Sequence, residues 1–248
     1  MSLTPHTVIS PGSKLPRGAW TVVLLLCVVG GLNYADRGIL TTMRGSIIAE
    51  IPMTDAQFGL LTAAFLWIYG ILSPFAGFLA DKFNRSKVII ASLFIWSAVT
   101  LLTSYATTFN QLLVSRALMG ISEACYLPAA LALIVDYHQG ATRSRATGLH
   151  LAGVTVGQSL GFLGGWIAEK HSWNASFAVF GLVGVLYSVI LLLFLKDPPQ
   201  KKMDAASKKI KNDISFVKAL QHLFSKRAFN LILFFYSILG IVGWLIMG

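Results

Sequence analysis

Uninterrupted apolar blocks, each near twenty residues long, decide what this chain can become. They occupy 19–40, 58–80, 88–106, 112–135, 146–168, 175–195 and 229–248. A helix rising ~1.5 Å per residue needs about twenty residues to cross ~30 Å of hydrocarbon, so each block has the length of one crossing. Open strands would leave backbone groups unsatisfied in lipid, and barrel strands alternate in polarity, so the blocks read as helices. Composition agrees, because only 12% of the 248 residues are charged, roughly half of what a soluble domain carries. The expected fold class is all-α, a polytopic membrane helical bundle.

The formal charge of +10 reports orientation rather than a nucleic-acid partner. Lys14 and Arg17, then Lys82, Arg85 and Lys87, then Arg143 and Arg145, then Lys196 and a run from Lys201 to Arg227 all fall in connections on one side. Only Arg44 and Lys170 fall on the other. Basic loops face the cytoplasm, so the N-terminus is expected there, in a cell membrane and most simply a bacterial inner membrane. The first block resembles a secretory signal, but no cleavage motif follows and the helix runs on through Asn33, Asp36 and Arg37. Cys27 and Cys125 lie inside blocks and read as small apolar residues, not a disulfide. No metal-ligand spacing, cofactor motif or nucleophile–base constellation is visible, so neither an enzyme nor a bound cofactor is expected.

Four segments follow: a tail over 1–18, a six-helix bundle over 19–196, a connection over 197–228, and a seventh helix over 229–248, expected to be truncated. Lys196-Asp197-Pro198-Pro199 ends the sixth helix, since proline lacks a donor and restricts the residue before it. In the connection, Ile214, Val217, Leu220, Leu223 and Phe224 recur at helical spacing opposite Lys218, Gln221 and His222. That pattern predicts an amphipathic helix at the inner surface.

The short loop between the second and third blocks carries Gly77, Asp81, Lys82, Asn84, Arg85 and Lys87. Gly77 is expected to permit close helix contact, and Asn84 to supply a left-handed turn. Gly77-Phe78-Leu79-Ala80-Asp81-Lys82-Phe83-Asn84-Arg85 resembles the loop signature of the major facilitator superfamily, and Arg116 followed by Gly120 resembles its second signature. The resemblance implies the six-helix N-terminal half of a transporter built from 3+3 inverted repeats, with the C-terminal half as partner. It also implies a cytoplasmic gate of Gly77, Asp81, Arg85 and Asp136.

Charges in lipid cost ~2.5 to 3.5 kcal/mol each on insertion scales and so mark function. Asp36 and Arg37 lie in the first block, Arg116 and Glu123 in the fourth. Arg116, Gly120 and Glu123 share one helix face, and Gly120 is expected to leave a slot between the charges. Asn33-Tyr34-Ala35-Asp36-Arg37 with Arg116 and Glu123 is similar to anion:cation symporters of the superfamily, and with Pro74 also to Spinster-type lysolipid transporters. The first resemblance implies proton coupling at Asp36 and Glu123, and binding of a small organic anion, such as a sugar acid or carboxylate, at Arg37, with Arg116, Tyr34, Tyr69 and Gln158 around it. A transporter-like membrane sensor is the remaining alternative. In the fifth block, Gly153, Gly157, Gly161, Gly164 and Gly165 form a stripe for close helix packing, while His150 is expected to pack or reach solvent.

Orientation is testable directly. Cysteine reporters at Ser144 and Ser207 should label only from the cytoplasmic side in sealed cells, and labelling from outside at either reverses the topology.

Overall fold

The computed structural model describes residues 15–198 and 216–247, in two units divided after Pro199. Every regular element among them is helical. The first unit holds α1 (Ala19–Thr42), α2 (Arg44–Glu50), α3 (Asp55–Lys82), α4 (Arg85–Thr103), α5 (Phe109–Glu123), α6 (Tyr126–Tyr137), α7 (Ala141–Leu160), α8 (Phe162–Lys170) and α9 (Trp173–Phe194). Six stretches of it are long and apolar enough to cross a membrane. Four are single helices; the fourth crossing is α5 plus α6, broken at Ala124 and Cys125, and the fifth is α7 plus α8, broken at Gly161.

The starts follow from local chemistry. Thr54 and Gln57 form a reciprocal capping box ahead of α3. Thr108 and Ser172 accept from the backbone of Gln111 and Ala175 to start α5 and α9. Asn84 does not take the left-handed conformation expected of it: its φ is −65° and ψ 119°, and its side chain caps α4 by accepting from Lys87 N. The tight connection is made by a helix cap rather than by a turn.

Helix pairing is fixed where side chains are missing. α1 packs along α7 and α8, α4 along α9, and α3 along α5. A Cβ on Gly157 would stand 2.1 Å from the Gly31 carbonyl oxygen, and one on Gly164 2.7 Å from Ile39 Cβ. The expected stripe therefore brings α7 and α8 to backbone contact with α1. Between α4 and α9, Gly184 makes room for Ser97 Oγ and Gly181 for Leu101. Gly77 differs: the nearest atom to a Cβ there is Pro128 Cβ at 3.9 Å, ordinary contact, so close packing does not require glycine at that position.

The basic loops meet at one end of the bundle. Trp20 packs edge-on against His138 with centroids 4.7 Å apart, Tyr137 OH donates to Lys196 O at 2.9 Å, and Ser86 N donates to Asp197 Oδ1 at 3.2 Å. At the opposite end Trp173 Nε1 donates to Glu50 Oε2 and Asn174 Nδ2 to Ser104 O, both at 2.8 Å. Residues 1–14 of the predicted tail and residues 199–215 of the predicted connection lie outside the described residues.

In the second unit the amphipathic helix forms as α10 (Phe216–Phe224) and the seventh block as α11 (Arg227–Met247). Asn230 Nδ2 donates to Phe224 O at 2.8 Å and so satisfies the end of α10. α11 runs for 21 residues, a length that suits one crossing.

The α1–α7 contact predicts a stability ranking. Gly157→Ala should cost about 1–3 kcal/mol by overpacking, whereas Gly148→Ala, with nothing within 4 Å, should be neutral or slightly stabilising. Unfolding midpoints of the purified protein in one detergent check both; equal midpoints would mean the seam is looser than described.

Candidate functional site

Two helices bring the charges together. Asn33 and Arg37 stand one turn apart on α1, and Glu123 is the last residue of α5, where the fourth crossing breaks. Glu123 Oε2 accepts from Asn33 Nδ2 at 3.0 Å and from Arg37 Nε at 3.2 Å, while Arg37 Nη2 donates to Asn33 Oδ1 at 3.1 Å. The three side chains close a ring of hydrogen bonds, and the buried Glu123 Oε1 is left without a partner.

Aromatic rings surround the guanidinium. Arg37 Cζ lies 4.5 Å from the Tyr34 and Tyr69 ring centroids and 5.1 Å from Phe65, within the reach of cation–π attraction. Phe65 precedes Tyr69 by one turn of α3 and so shares its face; Arg116 also approaches Phe65, with its Cζ 4.8 Å from the ring centroid.

The remaining charges sit differently from expectation. Asp36 adjoins Arg37 in sequence but faces α4, where Thr100 Oγ1 approaches its Oδ2 at 3.5 Å. Thr100 also donates to Trp96 O at 3.0 Å. Arg116 makes no ion pair within 4.0 Å among the described residues; Nη1 contacts Met119 Sδ at 3.6 Å and Nε is unpartnered. The slot expected at Gly120 is closed, since a Cβ there would meet the Phe65 carbonyl oxygen at 2.9 Å. Glycine admits α3 there, not an anion. Gln158 is exposed on α7 and joins none of these contacts.

Access singles out one group. Asp36, Arg116 and Glu123 are 3%, 2% and 0% exposed, whereas the Arg37 side chain retains 20%. With both acids and both guanidinium groups ionised, the four side chains sum to zero charge. That balance is what a dry site requires, because an unpaired buried charge is costly.

Of the four expected gate residues, two meet. Arg85 Nη1 donates to Asp136 Oδ2 and, at 3.0 Å, to Ala132 O, tying the start of α4 to the last turn of α6. Gly77 faces Pro128 of α6, and the side chain of Asp81 lies outside the described residues. Phe65, Trp96, Thr100 and Met119 were not singled out from the sequence. The i, i+4 spacing of Phe65 with Tyr69, and of Trp96 with Thr100, is the signal that finds them.

Comparison with known proteins gives a consistent result. The family model described as Major Facilitator Superfamily matches residues 26–248. The chain is 31% identical over 202 residues to protein spinster of Drosophila melanogaster, covering 78% of this chain and 33% of that protein. It is 28% identical over 202 residues to a sphingosine-1-phosphate transporter of Danio rerio, covering 80% and 40%. A crystal structure of a bacterial homologue of the human lysosomal transporter Spinster, inward-facing and occupied, superposes with a TM-score of 0.68 at 29% identity, covering 78% of this chain and 47% of that one. The unoccupied form gives 0.69 at 28%, covering 87% and 50%. The chain thus spans half or less of the length of these relatives.

The hydrogen-bonded ring predicts non-additive energetics. Arg37→Met should destabilise by about 3–5 kcal/mol because it strands a buried carboxylate, and Glu123→Gln added to it should recover most of that loss. Chemical unfolding of the wild type, the two single variants and the double variant measures the coupling; additive losses would mean the ring carries no interaction energy.

Proposed function

Because this chain belongs to the major facilitator superfamily, we propose that it forms part of a secondary active transporter that moves a single-chain lipid with an anionic headgroup, a lysolipid, by alternating access. Two things support the substrate class: the likeness to Spinster proteins, one relative being a sphingosine-1-phosphate transporter, and the one part-exposed charge of the cluster. Arg37 is the group an incoming headgroup can reach without first dismantling the bundle. Its Nε already holds Glu123, so a phosphate competes for the guanidinium with that carboxylate. The Spinster likeness weighs towards the lysolipid and away from a sugar acid or small carboxylate.

Coupling to protons follows from charge balance. With all four groups ionised the cluster is neutral, so an anion bound at Arg37 leaves the site negative unless an acid takes up a proton. Glu123, released from Arg37, is one acceptor. Asp36 is the other: the single hydroxyl proton of Thr100 is held by Trp96 O at the shorter distance, which leaves Thr100 Oγ1 able to accept from a protonated Asp36. A neutral loaded site crosses the hydrocarbon at lower cost than a charged one. In this reading the basic loops are cytoplasmic, Arg85 and Asp136 close the inner end, and a second half of the transporter supplies the facing wall of the cavity.

Uptake by the full transporter in proteoliposomes, with lysophospholipids and a hexuronate compared side by side, tests the substrate class. The lysolipid should accumulate and the hexuronate should not. Removing two methylenes from the lipid chain should weaken binding about tenfold, at ~0.8 kcal/mol per CH₂, and Arg37→Lys should cost less than that. Hexuronate uptake, or binding insensitive to chain length, would return the assignment to a small organic anion.

A further inference from the structure

His150 takes no part in the charge cluster, yet it is buried at 0% exposure on α7, where neither ring nitrogen makes a hydrogen bond of normal geometry and the Leu26 backbone of α1 lies close by. Its ring edge shares with Val154 the space left by Gly30 on α1, since a Cβ there would stand 2.7 Å from Val154 Cγ2, 2.9 Å from His150 Cε1 and 3.2 Å from Tyr126 OH. The Tyr126 ring of α6 lies edge-on with its centroid 6.1 Å away, and Tyr126 OH donates to Leu26 O at 2.8 Å. One residue before His150, the Leu149 carbonyl accepts from Cys27 Sγ of α1 at 3.3 Å. The imidazole is therefore inside the α1–α7 seam, in the half nearer the basic loops.

The charged groups of the helices packed there are all engaged or directed elsewhere. On α1, Asp36 faces Thr100 and Arg37 holds Glu123. On α6, the one charged residue, Asp136, pairs with Arg85. On α7, Arg143 and Arg145 are exposed at the start of the helix. The titratable group that adjoins the ring is Tyr126, with Cys27 bonded to the carbonyl one residue before it, and neither supplies a counter-charge to an imidazolium. Charging His150 in the closed seam would bury an unpaired cation, which is costly.

We propose that His150 is a second proton-binding site, separate from the Asp36–Glu123 cluster, and that its protonation loosens the α1–α7 seam around Gly30. The loosened seam, which admits water, binds the extra proton. The closed seam is accordingly favoured at high pH and lost as pH falls through the imidazole range. Asn33 and Arg37 stand about one and two turns further along α1, so the proton acts on the helix that carries the candidate site.

Cys27 reports on the seam without any substrate, so the outcome is independent of what the protein transports. In the purified full protein, with Cys27 as the single cysteine, alkylation by N-ethylmaleimide is measured at about pH 7.5 and pH 5.5. Each rate is divided by that of the same protein unfolded in detergent, which removes the intrinsic pH dependence of the thiol. The wild-type ratio should rise about tenfold or more on acidification, as expected for one linked proton, and His150→Phe should abolish the rise. Should that variant not fold, His150→Gln, neutral and polar, must show the same flat profile. A flat wild-type ratio, or an equal rise in either variant, overturns the proposal.

Discussion

A helix in lipid has no hydrophobic drive towards its neighbour, so α1 is held to α7 by close packing and by hydrogen bonds such as Cys27 Sγ to Leu149 O, and glycines on both helices permit the approach. Gly31 and Gly157 touch through their backbones, and Ile39 packs over Gly164. With one flank of α1 fixed in this way, its other flank is turned towards α4 and α5. Asn33 and Arg37 consequently meet Glu123, and Asp36 meets Thr100. The polar cluster is a product of the glycine seam: rotate α1 by one residue and the carboxylate and guanidinium part.

Crossing helices, basic loops and the small-residue stripe were all legible in the sequence, because each is a one-dimensional signal. Block length reports hydrocarbon thickness, loop charge reports sidedness, and glycines at spacings of three and four report a face. What resisted reading was everything decided by a third partner. Gly120 looked like an empty slot between Arg116 and Glu123, and nothing local says that the Phe65 backbone of α3 fills it. Asn84 looked like a left-handed residue, yet its amide caps α4. Asp36 and Arg37 are adjacent in sequence, but on a helix adjacent residues point about 100° apart, and these two address different neighbours.

The aromatic surround of Arg37 shows the same division. Tyr34 and Tyr69 stood out because polar aromatics are conspicuous inside an apolar block. Phe65 did not, since one more Phe among 16 carries no signal until its ring is found in contact with two guanidinium groups. Arg116, with its ring contact and a thioether but no carboxylate within ion-pair distance among the described residues, would be anomalous alone and makes sense only as one member of a neutral quartet.

The end of α9 has a mechanical meaning. Asp197, the next-to-last described residue of the bundle, holds the backbone of Ser86 in the first turn of α4, and the neighbouring Lys196 carbonyl holds Tyr137 at the end of α6. The same first turn of α4 carries Arg85, bound to Asp136. The strand of chain leaving the sixth crossing is thus tethered to both partners of that ion pair. Tension applied along it is delivered first to those two anchor points, which makes the exit of the bundle a line of force and not merely a connection.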